Sequence, residues 1–304
     1  MVSRADVLQA RERIGERLPR TPTLSSRTFG ARLKCELFQR TGSFKPRGAL
    51  HKLSHLTPEE RERGVIATSA GNHAQAVAFA AAAEGVDALL VMWRGASEQK
   101  ANATRGYGAT IDFEATTPAE GFDRLYRLQQ ETGRTVIHPF DDPLVVAGAG
   151  TVGLEIEEDA PGADAVIVPV GGGGLLAGIT AALRDRMRIV AVEPERSQAF
   201  HEGLRHGRPT PVEPRSIADG LSAPFAGRIA LDVCREVELA TVTEEEIKAA
   251  FRFLYERAKL ACEPAGAVAA AAWLAGKVEA RAPVVVVSGG NVDGKTASDI
   301  LAAR

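Results

Sequence analysis

Thr41-Gly42-Ser43-Phe44-Lys45-Pro46-Arg47-Gly48 is the stretch on which the reading of this chain turns. It places a lysine at a helix start, between a small polar turn and a glycine. The Ser43 hydroxyl is expected to cap the helix. Pro46 is tolerated in the first turn, where an N–H has no intrahelical partner to lose. Beyond it Ala49, Leu50, Leu53 and Leu56 share one helical face. The positive end of the helix dipole disfavours a charged lysine, and Arg47 is expected to push the same way. A lysine that is partly neutral at pH 7 can serve as nucleophile or base. A lone lysine of this kind is usually a surface residue, so the rest of the chain has to decide.

Two other segments do. The apolar run Ala165-Val166-Ile167-Val168-Pro169-Val170 leads into Gly171-Gly172-Gly173-Gly174 and then Leu175-Leu176-Ala177. That is strand, glycine loop and helix, a pattern that cradles phosphate with backbone N–H groups and helix dipole. The run Pro283 to Val287 reads as a fully buried parallel strand and ends in Ser288-Gly289-Gly290-Asn291. Open α/β sheets bind ligands at such carboxyl ends.

With these segments in this order, the chain resembles the pyridoxal-phosphate enzymes of the tryptophan-synthase β-subunit fold (fold type II). Within them it is similar to the threonine/serine dehydratase and serine racemase branch. The resemblance runs from Arg20-Thr21-Pro22 through Ser69-Ala70-Gly71-Asn72-His73-Ala74-Gln75 and His138-Pro139-Phe140-Asp141-Asp142-Pro143. It continues through Ala218-Asp219-Gly220 and Glu263-Pro264-Ala265-Gly266 to Ser288-Gly289-Gly290-Asn291. It implies a two-domain α/β protein with parallel-rich sheets flanked by helices. Residues 1–49 plus 141–304 would form the large cofactor-binding domain and residues 50–140 a small inserted one.

The resemblance also implies roles. Lys45 would hold pyridoxal 5'-phosphate as a Schiff base, with Phe44 beside the ring. The amides of Gly171, Gly172, Gly173, Gly174 and Leu175 would bind the phosphate, and Ser288 would face the pyridine nitrogen. Ser69, Ala70, Gly71, Asn72 and His73 would receive the substrate carboxylate, with the Asn72 side chain on the cofactor's 3′-oxygen. His73 reads as a structural or carboxylate-site residue. The freed Lys45 amine would take the Cα proton, and the β-hydroxyl would leave, protonated by the cofactor phosphate. The implied activity is dehydration and deamination of L-threonine, L-serine or both to the 2-oxo acid and ammonia.

One position separates two branches of this family. In serine racemases a serine follows the first serine of the Ser69 loop and supplies a second acid/base. Here that position is Ala70, which favours elimination. Racemisation, or dehydration of another hydroxy amino acid such as 3-hydroxyaspartate, is the alternative. Relatives also bind a divalent cation through a Glu-Pro acid, a carbonyl and another acid six residues on. Glu193 and Ser197 match the first two positions, but the last is Ala199, so a cation is doubtful.

A dinucleotide-binding protein is the competing class. Gly148-Ala149-Gly150-Thr151-Val152-Gly153 is a literal G-x-G-x-x-G, expected here to be a glycine-rich helix start. Gly172 to Ala177 fits the looser form, and Glu193 follows at about the ~20-residue distance of a ribose-binding acid. The mid-chain position and the coexisting Lys45 and Ser288 segments argue against that reading. Glu263 is open between a paired core acid and an active-site edge group. Asp219 reads as turn chemistry, and Cys262 as a small buried residue. His51, His55, His201 and His206 lie in polar stretches and read as solvated.

The formal net charge of −2 gives no reason to expect nucleic acid or an acidic membrane surface as partner. No run of ~18 apolar residues predicts a membrane span. The first twenty residues read as a charged helix without an apolar signal core. Three cysteines, an odd number, fit no disulfide framework or zinc site. The expectation is a cytoplasmic protein acting on a small amino acid, as a homodimer or homotetramer. Strands are predicted at 64–68, 87–92, 109–113, 135–138, 164–170, 188–193 and 283–288. Helices are predicted at 72–84, 98–106, 117–132, 174–184, 243–260 and 265–276.

Overall fold

The computed structural model describes residues 1–96 and 98–303. After α1 (Arg4–Ile14), strands β1 (Thr23–Ser26) and β2 (Ala31–Cys35) lead to α2 (Lys45–Leu53) and α3 (Pro58–Arg63). A strict alternation follows: β3 (Val65–Thr68), α4 (Asn72–Glu84), β4 (Ala88–Trp93), α5 (Glu98–Gly106), β5 (Thr110–Ala115), α6 (Pro118–Thr132) and β6 (Thr135–Val136). Then come α7 (Pro143–Asp159), β7 (Ala165–Pro169), α8 (Gly174–Leu183), β8 (Arg188–Pro194), α9 (Ala199–His206), α10 (Arg228–Val233) and β9 (Glu238–Val242). The chain closes with α11 (Glu244–Phe253), α12 (Pro264–Leu274), β10 (Pro283–Val287) and α13 (Gly294–Ala302).

Among the described residues the strands form two sheets. One has the order β1-β2-β10-β7-β8-β9, the other β5-β4-β3-β6. Every neighbouring pair is parallel except the β1–β2 pair at one edge. Parallel strands need both faces covered, and β10 shows how. Val284 and Val286 join the cluster built on α7 and α8, whereas Val285 and Val287 join the cluster built on α11 and α12. The valine run is therefore a two-sided core strand, with side chains alternating between faces.

All seven predicted strands are present, with ends shifted by one or two residues. The polar strands β1, β2 and β9 were not predicted, because Thr-Leu-Ser-Ser, Ala-Arg-Leu-Lys-Cys and Glu-Leu-Ala-Thr-Val lack a long apolar run. The Gly148 motif is not a helix start; it lies inside α7. A Cβ at Gly148 would sit 2.8 Å from the Gly48 Cα, and one at Gly150 would sit 2.6 Å from the Gly178 carbonyl. These glycines let α7 lie backbone to backbone against α2 and α8. That contact fixes α2, which carries Lys45 at its start.

Candidate active site

Three carboxyl ends converge. β10 and β7 are neighbours in the larger sheet, and their ends carry Ser288 and the Gly171–Gly174 loop. β3 of the smaller sheet ends in Ser69–Gly71, which leads into α4. Between them lies a cavity of about 560 Å³ lined by Lys45, the Ser69–His73 segment, Trp93, Phe122 and Glu263. A second compartment is lined by Phe44, Lys45, Asn72, the four glycines, Leu175, Glu263 and Ser288. Every residue proposed from sequence for cofactor and substrate thus borders one continuous site.

The start of α2 is tied to the end of β10. Ser43 and Gly289 form an antiparallel bridge. The Phe44 N–H donates to the Ser288 carbonyl at 3.2 Å, and the Gly290 N–H donates to the Gly42 carbonyl at 2.9 Å. Ser43 does not cap the helix as expected. Its hydroxyl is buried without a partner among the described residues, and Phe44 holds the capping position. Lys45 Nζ donates to the Pro139 carbonyl at 2.8 Å and lies 5.1 Å from the centre of the Phe44 ring. Burial pushes the Lys45 amine down to about 8, against the opposing charge of Glu263. Arg47 does not contribute as expected. It is buried on the other side, paired with Glu36 at 2.8 Å and Glu155 at 2.7 Å.

The glycine loop is demanded by its neighbours. A Cβ on Gly172 would enter the Phe140 ring, and one on Gly173 would meet the Ala230 methyl. Gly173 also has φ +88°, a left-handed conformation that favours glycine. Packing therefore closes one side of the loop. The first-turn N–H groups of α8 have no intrahelical partners, and they border the second compartment.

Asn72, at the start of α4, is held from both sides. Its Nδ2 donates to Glu263 Oε1 at 2.6 Å, and its Oδ1 accepts from Asn291 Nδ2 at 2.8 Å. Asn291 also donates to the Thr41 carbonyl at 2.6 Å. Glu263 is a site residue. Burial and Asp219 push its carboxyl up to about 7. Ser69 Oγ accepts from the Gly71 N–H at 3.0 Å and so shapes the turn into α4. His73 is buried with Nε2 2.8 Å from the Ile137 carbonyl, and burial pushes it down to about 3. Asp219 pairs with Lys100 of α5 at 2.6 Å, across the cavity mouth.

Sequence reasoning missed the Pro139 carbonyl, Phe140, Phe122 and Lys100. Only the His138-Pro139-Phe140 motif hinted at the first two. His51 is not solvated: it is buried, with Nδ1 2.8 Å from the Leu144 carbonyl. Glu193 is buried, and its two oxygens accept from the Phe200 and His201 N–H groups at 2.7 and 2.8 Å. Ser197 Oγ donates to the Leu221 carbonyl at 3.1 Å. Ala199 offers no side-chain ligand at the third position, and Glu193 is already engaged with backbone N–H groups. Among the described residues no group of three His, Cys, Asp or Glu side chains could hold a metal.

A lysine, a glycine loop and a serine strand end around one cavity match a known family. Its profile, described as pyridoxal-phosphate dependent enzyme, covers residues 16–290. The chain belongs to this family. An L-threonine ammonia-lyase of Thermotoga maritima is 44% identical over 268 residues, covering 86% of this chain and 67% of the relative. A catabolic L-threonine dehydratase of Staphylococcus aureus is 41% identical over 321 residues, covering 99% and 92%. Among solved structures, a threonine deaminase of T.th. has a TM-score of 0.89 at 40% identity, covering 96% of this chain and 99% of that one. Maize serine racemase has a TM-score of 0.90 at 34% identity, covering 98% and 96%.

Proposed function

We propose that this pyridoxal-phosphate-dependent family member is an ammonia-lyase that converts L-threonine, L-serine or both to the 2-oxo acid and ammonia. One observation carries the reading: the half-buried Lys45 amine lies where the glycine loop, Ser288 and the Ser69–His73 loop meet. The donor set fits the cofactor. Lys45 would hold it, with Phe44 against the ring. The amides from Gly171 to Leu175 would take its phosphate. Ser288 would meet the ring nitrogen, and Asn72 a ring oxygen. The Ser69–His73 turn would take the substrate carboxylate.

When bound, pyridoxal phosphate supplies the electron sink that makes the substrate Cα–H acidic. The chain's own groups do the rest. Burial lowers the Lys45 amine toward neutrality, to about 8. Neutral Lys45 Nζ can accept the Cα proton, and the nearby Glu263 carboxyl favours the charged amine that results. A serine, unlike an aspartate, does not stabilise a protonated ring nitrogen. That favours prompt loss of the β-hydroxyl, and hydroxide together with the proton taken from Cα makes up the water released. The released enamine takes up water and gives the 2-oxo acid and ammonia.

Serine racemase is the second reading, favoured by the maize structure's likeness. Against it, Ala70 puts a methyl group where a second proton donor would be needed. Formation of 2-oxo acid across L- and D-hydroxy amino acids, including 3-hydroxyaspartate, tests the substrate. Rapid turnover confined to D-serine formation would overturn the lyase reading. We further propose that residues 50–140 form the inserted unit, that the protein is cytoplasmic, and that it assembles as a homodimer or homotetramer. The three buried free cysteines support a reducing compartment. Sedimentation velocity reads the assembly.

A further inference from the structure

Glu263 occupies the capping position of α12, yet its carboxyl makes no hydrogen bond to that helix. The shorter acid, aspartate, ordinarily accepts from its own first turn at such a position. Glu263 turns away, is 2% exposed, and accepts from Asn72 on α4 at 2.6 Å. Its second oxygen is buried without a partner among the described residues. A glycine makes room for the pair. A Cβ on Gly289 would collide with Glu263 Oε1 and approach Asn72 Nδ2 to 3.2 Å.

The chemistry of the contact settles the amide's orientation. A backbone carbonyl only accepts, so Asn291 presents Nδ2 to the Thr41 carbonyl, and the same nitrogen donates to Asn72 Oδ1. That leaves the Asn72 nitrogen facing Glu263. One N–H of Asn72 is engaged, and the other is left for an acceptor in the cavity that Asn72 and Lys45 line together. We propose that Glu263 is a positioning residue that holds the Asn72 amide with its second N–H toward an acceptor oxygen of the bound cofactor. The inference rests on the cofactor reading above. Burying a carboxyl is unfavourable unless it is paired, and a stable fold does not need one facing Asn72. A carboxyl group that orients a ligand-binding amide gives the unfavourable burial a use.

The test is a double-mutant cycle read by cofactor affinity and by the absorbance of the loaded protein. Glu263→Gln keeps an oxygen that accepts from Asn72, and should hold pyridoxal phosphate within about threefold of the parent. Glu263→Ala should weaken binding roughly tenfold or more and shift the visible band. Asn72→Ala attacks the other end of the contact without emptying the Glu263 site. The double variant should then be little worse than Asn72→Ala alone. Thermal midpoints follow the fold separately, and rescue by glutamine marks a hydrogen-bonding role. Fully additive losses, or parental affinity and band position in Glu263→Ala, would overturn the inference. A parent protein that forms no Lys45-dependent band with pyridoxal phosphate would instead overturn the cofactor reading itself.

Discussion

Lys45 Nζ donates a hydrogen bond to the Pro139 carbonyl at 2.8 Å. The contact joins the start of α2 to the turn that leads from the smaller sheet into α7. The next residue, Phe140, covers Gly172 and Gly174 of the glycine loop. One short path thus connects the reactive amine to the phosphate cradle. A change at either end is expected to be felt at the other.

Gly173→Ala tests the cradle. The added methyl meets Ala230 and has to adopt φ +88°. Strain of this kind is of order 1–3 kcal/mol, so thermal stability and pyridoxal phosphate affinity should fall together. Calorimetry and equilibrium dialysis read the two quantities. Unchanged values for both would mean that the loop is not constrained as described.

Ala70→Ser should raise racemisation relative to elimination. Ala70 lines the same cavity as Lys45, and a hydroxyl there offers a second proton donor. The gain depends on geometry and is expected to be small. Deuterium incorporated from solvent into recovered serine, with its chirality, gives the answer. If no additional D-serine is formed from L-serine, Ala70 is not what separates the two activities.

Exhaustive chelation should leave the thermal midpoint and turnover almost unchanged, and added magnesium or calcium should do little. Glu193 is engaged with the Phe200 and His201 amides, and Ala199 contributes no oxygen. A rise of several degrees at sub-millimolar cation would show that other oxygens complete a site.

Glu263 also gives the cofactor-free protein a pH signature. Burial and Asp219 raise its carboxyl to about 7 from 4.5, while Lys100 and Asn72 oppose them. Lys45 also faces it. The folded protein therefore keeps this proton longer than the unfolded chain does. The associated stability is fully present below about 4.5 and is lost as pH rises through about 7. Glu193, raised to about 8 by burial, acts in the same sense. Thermal midpoints should fall between these limits, and Glu263→Gln should flatten the slope. An identical slope in that variant would remove Glu263 as a source.

Much of the site was legible because its parts are local. Lys45 in its turn, the four glycines after a valine-rich strand and Ser288 at a strand end each announce themselves within about ten residues. What stayed hidden is long-range. Glu263 meets Asn72 across 191 positions, and no local pattern distinguishes such a pair from a core acid. His51 sits beside charged residues in sequence, yet it faces the start of α7 and is buried. The Gly148 motif reads as a helix start, but it lies inside α7 and its spacing serves helix–helix contact. β1, β2 and β9 owe their strand form to sheet pairing at or near the edges, which overrides weak local preference.

The most direct test of the whole account compares the protein loaded with pyridoxal phosphate with its Lys45→Ala variant on L-threonine. Ammonia and 2-oxo acid are followed together. The account predicts equal amounts of the two products from the parent. It predicts a loss of roughly a thousandfold or more in the variant, because nucleophile and base go together. Turnover in Lys45→Ala near the parental rate would contradict it.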